Sequence, residues 1–325
     1  LKTIAIDAIH SGFNRYTQTQ GTAELNEAIR AYLKRTASFE PEATMVASGV
    51  SGALFLLILA TIDPGDEVVF PDPYFVMYKH LVNFVGGVPV YVDTCPDFQL
   101  DPDKLKAALT DKTKMIIINS PSNPTGVVYP EETIKAIAEI ARKRNILLVS
   151  DEIYREFCFD RAYPSLATWY PENTVVLNGL SKSVAMTGWR VGFAAGPASI
   201  INEMIKLQQY TFVCAPSFAQ KAAVRALEMK NVYLDSYRER RDLIYSGLVN
   251  AGYEVVKPEG AFYIFPKCPT DEGRFIDAAL DNKLLIIPGS VFSETPGWFR
   301  ISFAADPAVL QKGIEILARL RTQFA

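Results

Sequence analysis

Between residues 67 and 149 the chain alternates short apolar runs with longer stretches of helical period, and this restricts its fold more than any other feature. Residues 67–70, 88–92, 115–118 and 146–149 are dominated by Val, Ile, Leu and Phe. They are too short for helices, so they read as buried strands. The intervening stretches 74–82, 101–109 and 130–142 repeat apolar residues at helical spacing. Asp101-Pro102 marks one helix start, with proline in the first turn, and Pro130 opens another. Strand and helix in alternation imply an α/β fold with a mostly parallel central sheet and flanking helices. Ligands of such sheets sit beyond the carboxyl ends of the strands, so the residues following each strand carry the functional argument.

After 115–118 comes Asn119-Ser-Pro-Ser-Asn-Pro-Thr-Gly126, and after 146–149 comes Ser150-Asp-Glu-Ile-Tyr154. A third apolar run, 175–177, leads into Asn178-Gly-Leu-Ser-Lys182. Taken singly, these are a turn, a helix cap at Asp151 and a solvated loop lysine. Converging on one sheet edge, an amide, a carboxylate with a tyrosine, and a lysine form a candidate site. An ordinary lysine, with a pKa of about 10.4, is a poor nucleophile at neutral pH, but desolvation or a nearby cation favours the free amine that attacks carbonyls. Arg190 stands just before another apolar run, 191–195.

Residues 1–12 and 22–33 read as helices, with a polar loop carrying Tyr16 between them. Residues 46–54 read as a small-residue turn running into an apolar helix over 53–61. Such a turn leaves backbone N–H groups at a helix N-terminus, where a phosphate is favoured. Neither GxGxxG nor GxxxxGK[ST] occurs, so dinucleotide and nucleoside-triphosphate binding lose their best support. Beyond Pro197, residues 200–210, 217–228 and 232–249 have helical period; 252–256, 261–265, 284–287 and 299–303 read as strands before a closing helix over 307–321. A smaller α+β domain is therefore expected. The expected division gives 15–240 to a large domain and 1–14 with 241–325 to the small one. Arg300 alternates with apolar neighbours on its strand, as either a surface residue or a fork for a carboxylate.

Composition removes several classes of function. Lys plus Arg at 33 against Asp plus Glu at 36 gives a net charge of −3 with no basic block, so no nucleic-acid partner is expected. Four cysteines without a CxxC pair and two histidines leave no metal-ligand spacing and fit the reduced thiols of a cytoplasmic protein. No apolar run approaches the roughly 20 residues that span a bilayer, and no cleavable signal opens the chain. Leu1 in place of an initiator methionine leads to the expectation of a preceding segment that is not represented.

The motifs Asn-Pro-Thr-Gly (123–126), Ser-Asp-Glu-Ile-Tyr (150–154), Ser-Lys-Ser-Val-Ala-Met-Thr-Gly-Trp-Arg-Val-Gly (181–192) and Phe-Arg-Ile-Ser-Phe (299–303), in this order, resemble those of class I/II aminotransferases of the aspartate aminotransferase superfamily. The resemblance covers nearly the whole chain. It implies a fold type I, pyridoxal 5′-phosphate (PLP) enzyme, a homodimer with sites at the subunit boundary. Its activity would be transfer of an amino group from an L-amino acid to a 2-oxo acid in two ping-pong half-reactions. As an electron sink, PLP needs an amine, an acid-base group and an anion facing its ring nitrogen. By resemblance Lys182 carries the cofactor and shuttles the proton, and Asp151 pairs with the pyridinium. Asn123 and Tyr154 match residues that bond the phenolate oxygen, and Phe75 the aromatic stacked on the ring. Arg190 and the backbone at Val50 and Ser51 match the phosphate site, which Tyr16 reaches from the neighbouring subunit. Arg300 and Asn123 match substrate-binding positions, Arg300 as the fork for the α-carboxylate.

Two positions depart from the family pattern. Gly179 stands where members often have a phosphate-binding serine, three residues before the lysine. Acidic-substrate members of one branch carry a lysine at or near Ser51, which here offers a neutral hydroxyl. Breadth over neutral and aromatic amino acids is therefore expected, with aspartate favoured by family frequency. The alternatives are a PLP-dependent C–S lyase or aminocyclopropane-carboxylate-synthase-like lyase, since the same carbanion can lose a substituent, and a catalytically silent binding protein.

Overall fold

The structure is a computed structural model that describes residues 1–229 and 233–324. The chain opens with α1 (Lys2–His10) and α2 (Ala23–Ala37), then runs through β1 (Ala43–Ser48), α3 (Gly49–Thr61), β2 (Glu67–Asp72), α4 (Met77–Phe84), β3 (Val88–Asp93), α5 (Pro102–Ala108), β4 (Thr113–Asn119), α6 (Glu131–Arg144) and β5 (Leu147–Asp151). There follow β6 (Thr174–Gly179), β7 (Val191–Gly196), α7 (Ala198–Tyr210), α8 (Ser217–Ala226) and α9 (Leu234–Asn250). The last part comprises β8 (Tyr263–Ile264), α10 (Glu272–Asp281), β9 (Ile287–Pro288), β10 (Phe299–Ser302) and α11 (Pro307–Gln323). Local chemistry sets several boundaries. Thr22 caps α2 by accepting from the Leu25 N–H, Asp101 caps α5 from the Asp103 N–H, and Asn145 ends α6 in the left-handed conformation.

The first seven strands form one sheet in the order β1-β7-β6-β5-β4-β2-β3. Strand β7 runs antiparallel to both neighbours, and the pairs from β6 to β3 are parallel. Because both faces are covered, the central strands are apolar throughout, and alternate residues enter different cores. On β4, Ile116 and Ile118 pack with Ile134 and Ile137 of α6, while Met115 and Ile117 pack with Leu54 and Leu57 of α3. Truncating one such isoleucine to alanine costs about 2–5 kcal/mol. A separate sheet of three short antiparallel strands, β8-β10-β9, shares a core with α9, α10 and α11 built on Ile264, Phe275, Phe299 and Leu317.

Three expectations change. The small residues before Gly49 form strand β1 on the sheet edge rather than a turn, and α3 begins directly after it. Residues 252–256 form no strand: Gly252 has φ +84, and the Glu254 carbonyl accepts from the Lys267 N–H at 3.0 Å outside any ladder. The run 261–265 shrinks to β8, where Ala261 is left-handed (φ 56), and of the run 284–287 only its last residue enters β9. The expected helix start at Val232 lies outside the described residues. Helix α1 packs along α8, where Ser217 Oγ donates to the Phe13 carbonyl at 2.8 Å. Among the described residues, no helix is long and apolar enough to cross a membrane.

Candidate active site

Parallel register brings the polar strand ends together. Asn119, the last residue of β4, pairs with Asp151, the last residue of β5. The Asn119 amide donates to the Asp151 carbonyl (3.0 Å) and accepts from the Asn123 N–H (2.8 Å), which ties the loop after β4 to β5. A cavity of about 280 Å³ opens over this edge. Its wall holds Lys182, Asp151, Asn123, Tyr154, Arg190, Phe75, Val50, Ser51 and Arg300, every residue singled out from the sequence except Tyr16. Tyr16 lies elsewhere, 82% exposed in the loop before α2.

Burial sets the charge states. Asp151 is enclosed, and desolvation pushes its carboxyl up to about 6 against the opposing hydrogen bonds from Tyr78 Oη (2.7 Å) and the Ile153 N–H (3.3 Å). Lys182 is held below the usual lysine range, first by burial and then by the Arg190 and Arg300 cations, with Asp151 pulling the other way. The free amine is thereby favoured. Tyr154, pushed up by burial, stays a neutral phenol and shares a 3.0 Å hydrogen bond with Tyr263.

Arg190 adopts the left-handed conformation (φ 56) and hydrogen-bonds the Thr187 and Ser48 carbonyls at 3.0 and 3.1 Å. Beside it starts α3, whose N-cap residue Ser48 makes no side-chain capping bond, so its first-turn N–H groups lack that partner. Backbone crowding explains the glycines here. A Cβ on Gly49 (φ +71) would collide with the Arg190 guanidinium, and one on Gly192 would lie 2.5 Å from the Gly49 carbonyl carbon. A Cβ on Gly179 would come within 2.9 Å of Gly192 Cα. A serine there would therefore need the two strands to part.

Arg300 enters from β10 and packs against two rings, with Tyr263 and Phe292 centroids 4.5 and 4.3 Å from its Cζ. Its Nη1 donates to Asn123 Oδ1 at 2.9 Å, while its Nε is buried without a hydrogen-bond partner. Such an orphaned donor marks a place for a ligand acceptor. Asn119, Tyr78, Tyr263 and Phe292 also belong to the site or its support, without a sequence signal of their own. Asn119 stood in a quoted motif, whereas the three aromatics look like packing residues of a helix, a strand and a loop.

The donor set fits PLP. It offers an amine with lowered basicity, a buried carboxylate in need of a cation, an uncapped helix N-terminus beside an arginine for a phosphate, and an aromatic wall at Phe75. Among the described residues no cluster of His, Cys, Asp and Glu could hold a metal ion.

Known proteins resemble both sequence and structure. The family model for aminotransferase class I and II matches residues 2–317. The chain is 39% identical to a probable aspartate/prephenate aminotransferase of Thermus aquaticus over 96% of its own length and 85% of that protein's. It superposes on the aspartate aminotransferase of Thermus thermophilus with maleate at a TM-score of 0.95 and 37% identity, covering 98% of this chain and 87% of that one. The aromatic aminotransferase of Pyrococcus horikoshii matches at 0.95 and 36%, covering 99% and 91%. The geometry and these likenesses agree, and the chain belongs to the class I and II aminotransferases, enzymes that transfer amino groups.

Proposed function

We propose that the protein is a PLP-dependent, homodimeric aminotransferase in which Lys182 is the acid-base residue and covalent anchor and Asp151 the anion that partners the ring nitrogen. When bound, PLP supplies the electron sink that makes the substrate α-proton removable. The observation that carries the reading is the pairing, in one cavity, of a lysine depressed by burial with a carboxylate raised by burial. Lys182, favoured as a free amine, can take up the α-proton and return it, while Arg300 orients the α-carboxylate and Asn123 braces Arg300. Tyr154 and Asn123 stand to bond the phenolate oxygen, and Arg190 with the Val50 and Ser51 N–H groups to hold the phosphate. Borohydride reduction followed by peptide mapping should place the pyridoxyl label on Lys182; a label on another lysine would overturn the assignment.

The substrates are proposed to be an L-amino acid and a 2-oxo acid with a broad side-chain range. Ser51 supplies no cation for a distal carboxylate, and similar proteins bear names with both aspartate and aromatic substrates. Comparing kcat/KM for aspartate, alanine and phenylalanine with 2-oxoglutarate tests this, and aspartate winning by orders of magnitude would overturn it. Dimerisation is supported by exposed Phe84, Tyr210 and Phe212, of which Phe84 and Phe212 touch the Phe55 ring on the outer side of α3. Tyr16 would then act in the partner's site. The proposed division remains 15–240 for a large unit and 1–14 with 241–325 for a small one, and the shared core of α9, α10 and α11 with the three-stranded sheet supports the second unit. A cytoplasmic setting is in keeping with cysteines that are all unpaired.

A further inference from the structure

Tyr78 lies on α4 and is fully buried, with its ring edge-to-face on Phe70 (5.8 Å) and Phe75 (5.6 Å). A phenylalanine would make the same packing, so the apolar core has no use for the hydroxyl. That hydroxyl is instead donated to Asp151 Oδ2 at 2.7 Å, the one side-chain hydrogen bond the Asp151 carboxylate receives among the described residues. The other donor to the carboxylate is the Ile153 N–H, at 3.3 Å.

We propose that Tyr78 is a positioning residue for the transamination: its O–H keeps the Asp151 carboxylate in the anionic form that the cofactor's ring nitrogen requires. The inference rests on the PLP reading above. A buried carboxylate is ionised only if donors and cations offset its lost hydration. The groups facing Asp151 are few. Glu152, next along the chain, opposes ionisation, Lys182 favours it across the cavity, and Tyr154 is a neutral phenol on the loop after β5. Arg190 and Arg300 act on Lys182. Tyr78 is itself driven far up by burial and by Asp151, so the proton stays on the tyrosine and the bond keeps its polarity. The same ring braces Phe75, so one residue outside the cavity wall steadies two residues in it.

The test measures binding to the apoprotein of two probes, PLP and its 1-deaza analogue, which lacks the ring nitrogen, from about pH 5 to about pH 8.5. It uses the wild type, Tyr78→Phe, Asp151→Asn and the double variant. Loss of a charge-assisted hydrogen bond shifts a carboxyl by about one pH unit or more. Tyr78→Phe should therefore weaken PLP about tenfold near pH 6 and move the acid limb of its affinity up by about one unit, while the deaza analogue changes less than about twofold. In the Asp151→Asn background Tyr78→Phe should have no further effect. Should Tyr78→Phe fold poorly, the same cycle read by thermal stability carries the test, because the double variant has no carboxylate to strand. Equal losses for both probes, or the same loss without Asp151, would reduce Tyr78 to a packing residue. An unchanged PLP profile in Tyr78→Phe overturns the inference while leaving the cofactor reading intact; a wild type that binds no PLP removes both.

Discussion

Arg300→Lys isolates what the fork contributes beyond charge. The Arg300 guanidinium packs against Tyr263 and Phe292, one terminal nitrogen is committed to Asn123 Oδ1, and the buried Nε has no partner. In the proposed role, an arriving carboxylate pairs with the guanidinium through the terminal nitrogen not committed to Asn123. A lysine keeps the charge but offers no planar fork, so one charge-assisted bond is lost, about 1.5–3 kcal/mol. That corresponds to roughly 10- to 150-fold in Kd. Loss of guanidinium packing on the two rings weakens the site by about 1 kcal/mol more. Calorimetric titration of the holoenzyme with the monocarboxylate 3-phenylpropionate should therefore give a Kd raised at least about tenfold in the variant, with the cofactor absorbance unchanged because Arg300→Lys leaves Lys182 and Asp151 in place. A Kd within twofold of wild type would show that Arg300 does not bind the carboxylate.

Asp151 should make the apoprotein's stability depend on pH in an unusual direction. Its folded pKa of about 6 lies above the ordinary 3.8, so the folded state holds the proton more tightly. The group's contribution to stability is therefore full below about pH 4 and is lost as pH rises to about 6, a change on the order of 3 kcal/mol. Thermal melts of apo wild type and Asp151→Asn should diverge in favour of the variant over that window and run parallel above it; curves parallel throughout would refute the shift. Gly192→Ala places a methyl against the Gly49 backbone, and overpacking of about 1–3 kcal/mol should appear as a lower Tm together with weaker phosphate binding at the start of α3. Retention of both would show that β7 and the start of α3 can part. Mixing inactive Lys182→Ala and Tyr16→Phe chains should restore some activity if sites are shared between subunits, and verified mixed dimers without any gain would refute sharing.

The central sheet was legible because buried parallel strands leave continuous apolar runs, as in residues 115–118, and because polar motifs follow those runs at Asn119, Ser150 and Asn178. β1 was not. Its Ala and Ser residues pack closely against β7 and look, in sequence, like a turn. The smaller sheet was overread for the opposite reason: Tyr253 and Val255 alternate like a strand, yet they fill the core around Phe275 from an irregular segment. At the site, residues carrying unusual chemistry for their position, such as Lys182 and Asp151, announced themselves. Tyr78 gave no signal, because a buried tyrosine on a helix face is written like any core aromatic, and its partner lies 73 residues away.

The contact of Gly179 with Gly192, of Gly192 with Gly49, and of Gly49 with Arg190 bears on how the enzyme could be redesigned. Gly179 and Gly192 are hemmed in by backbone, so a side chain at either cannot be accommodated by trimming a neighbour; Gly49 faces the Arg190 guanidinium and is held to glycine by its left-handed φ of +71. A library meant to alter substrate choice should hold these positions fixed. Its diversity belongs at Ser51, Ile153 and Thr187, which line the cavity and are free of that backbone stack.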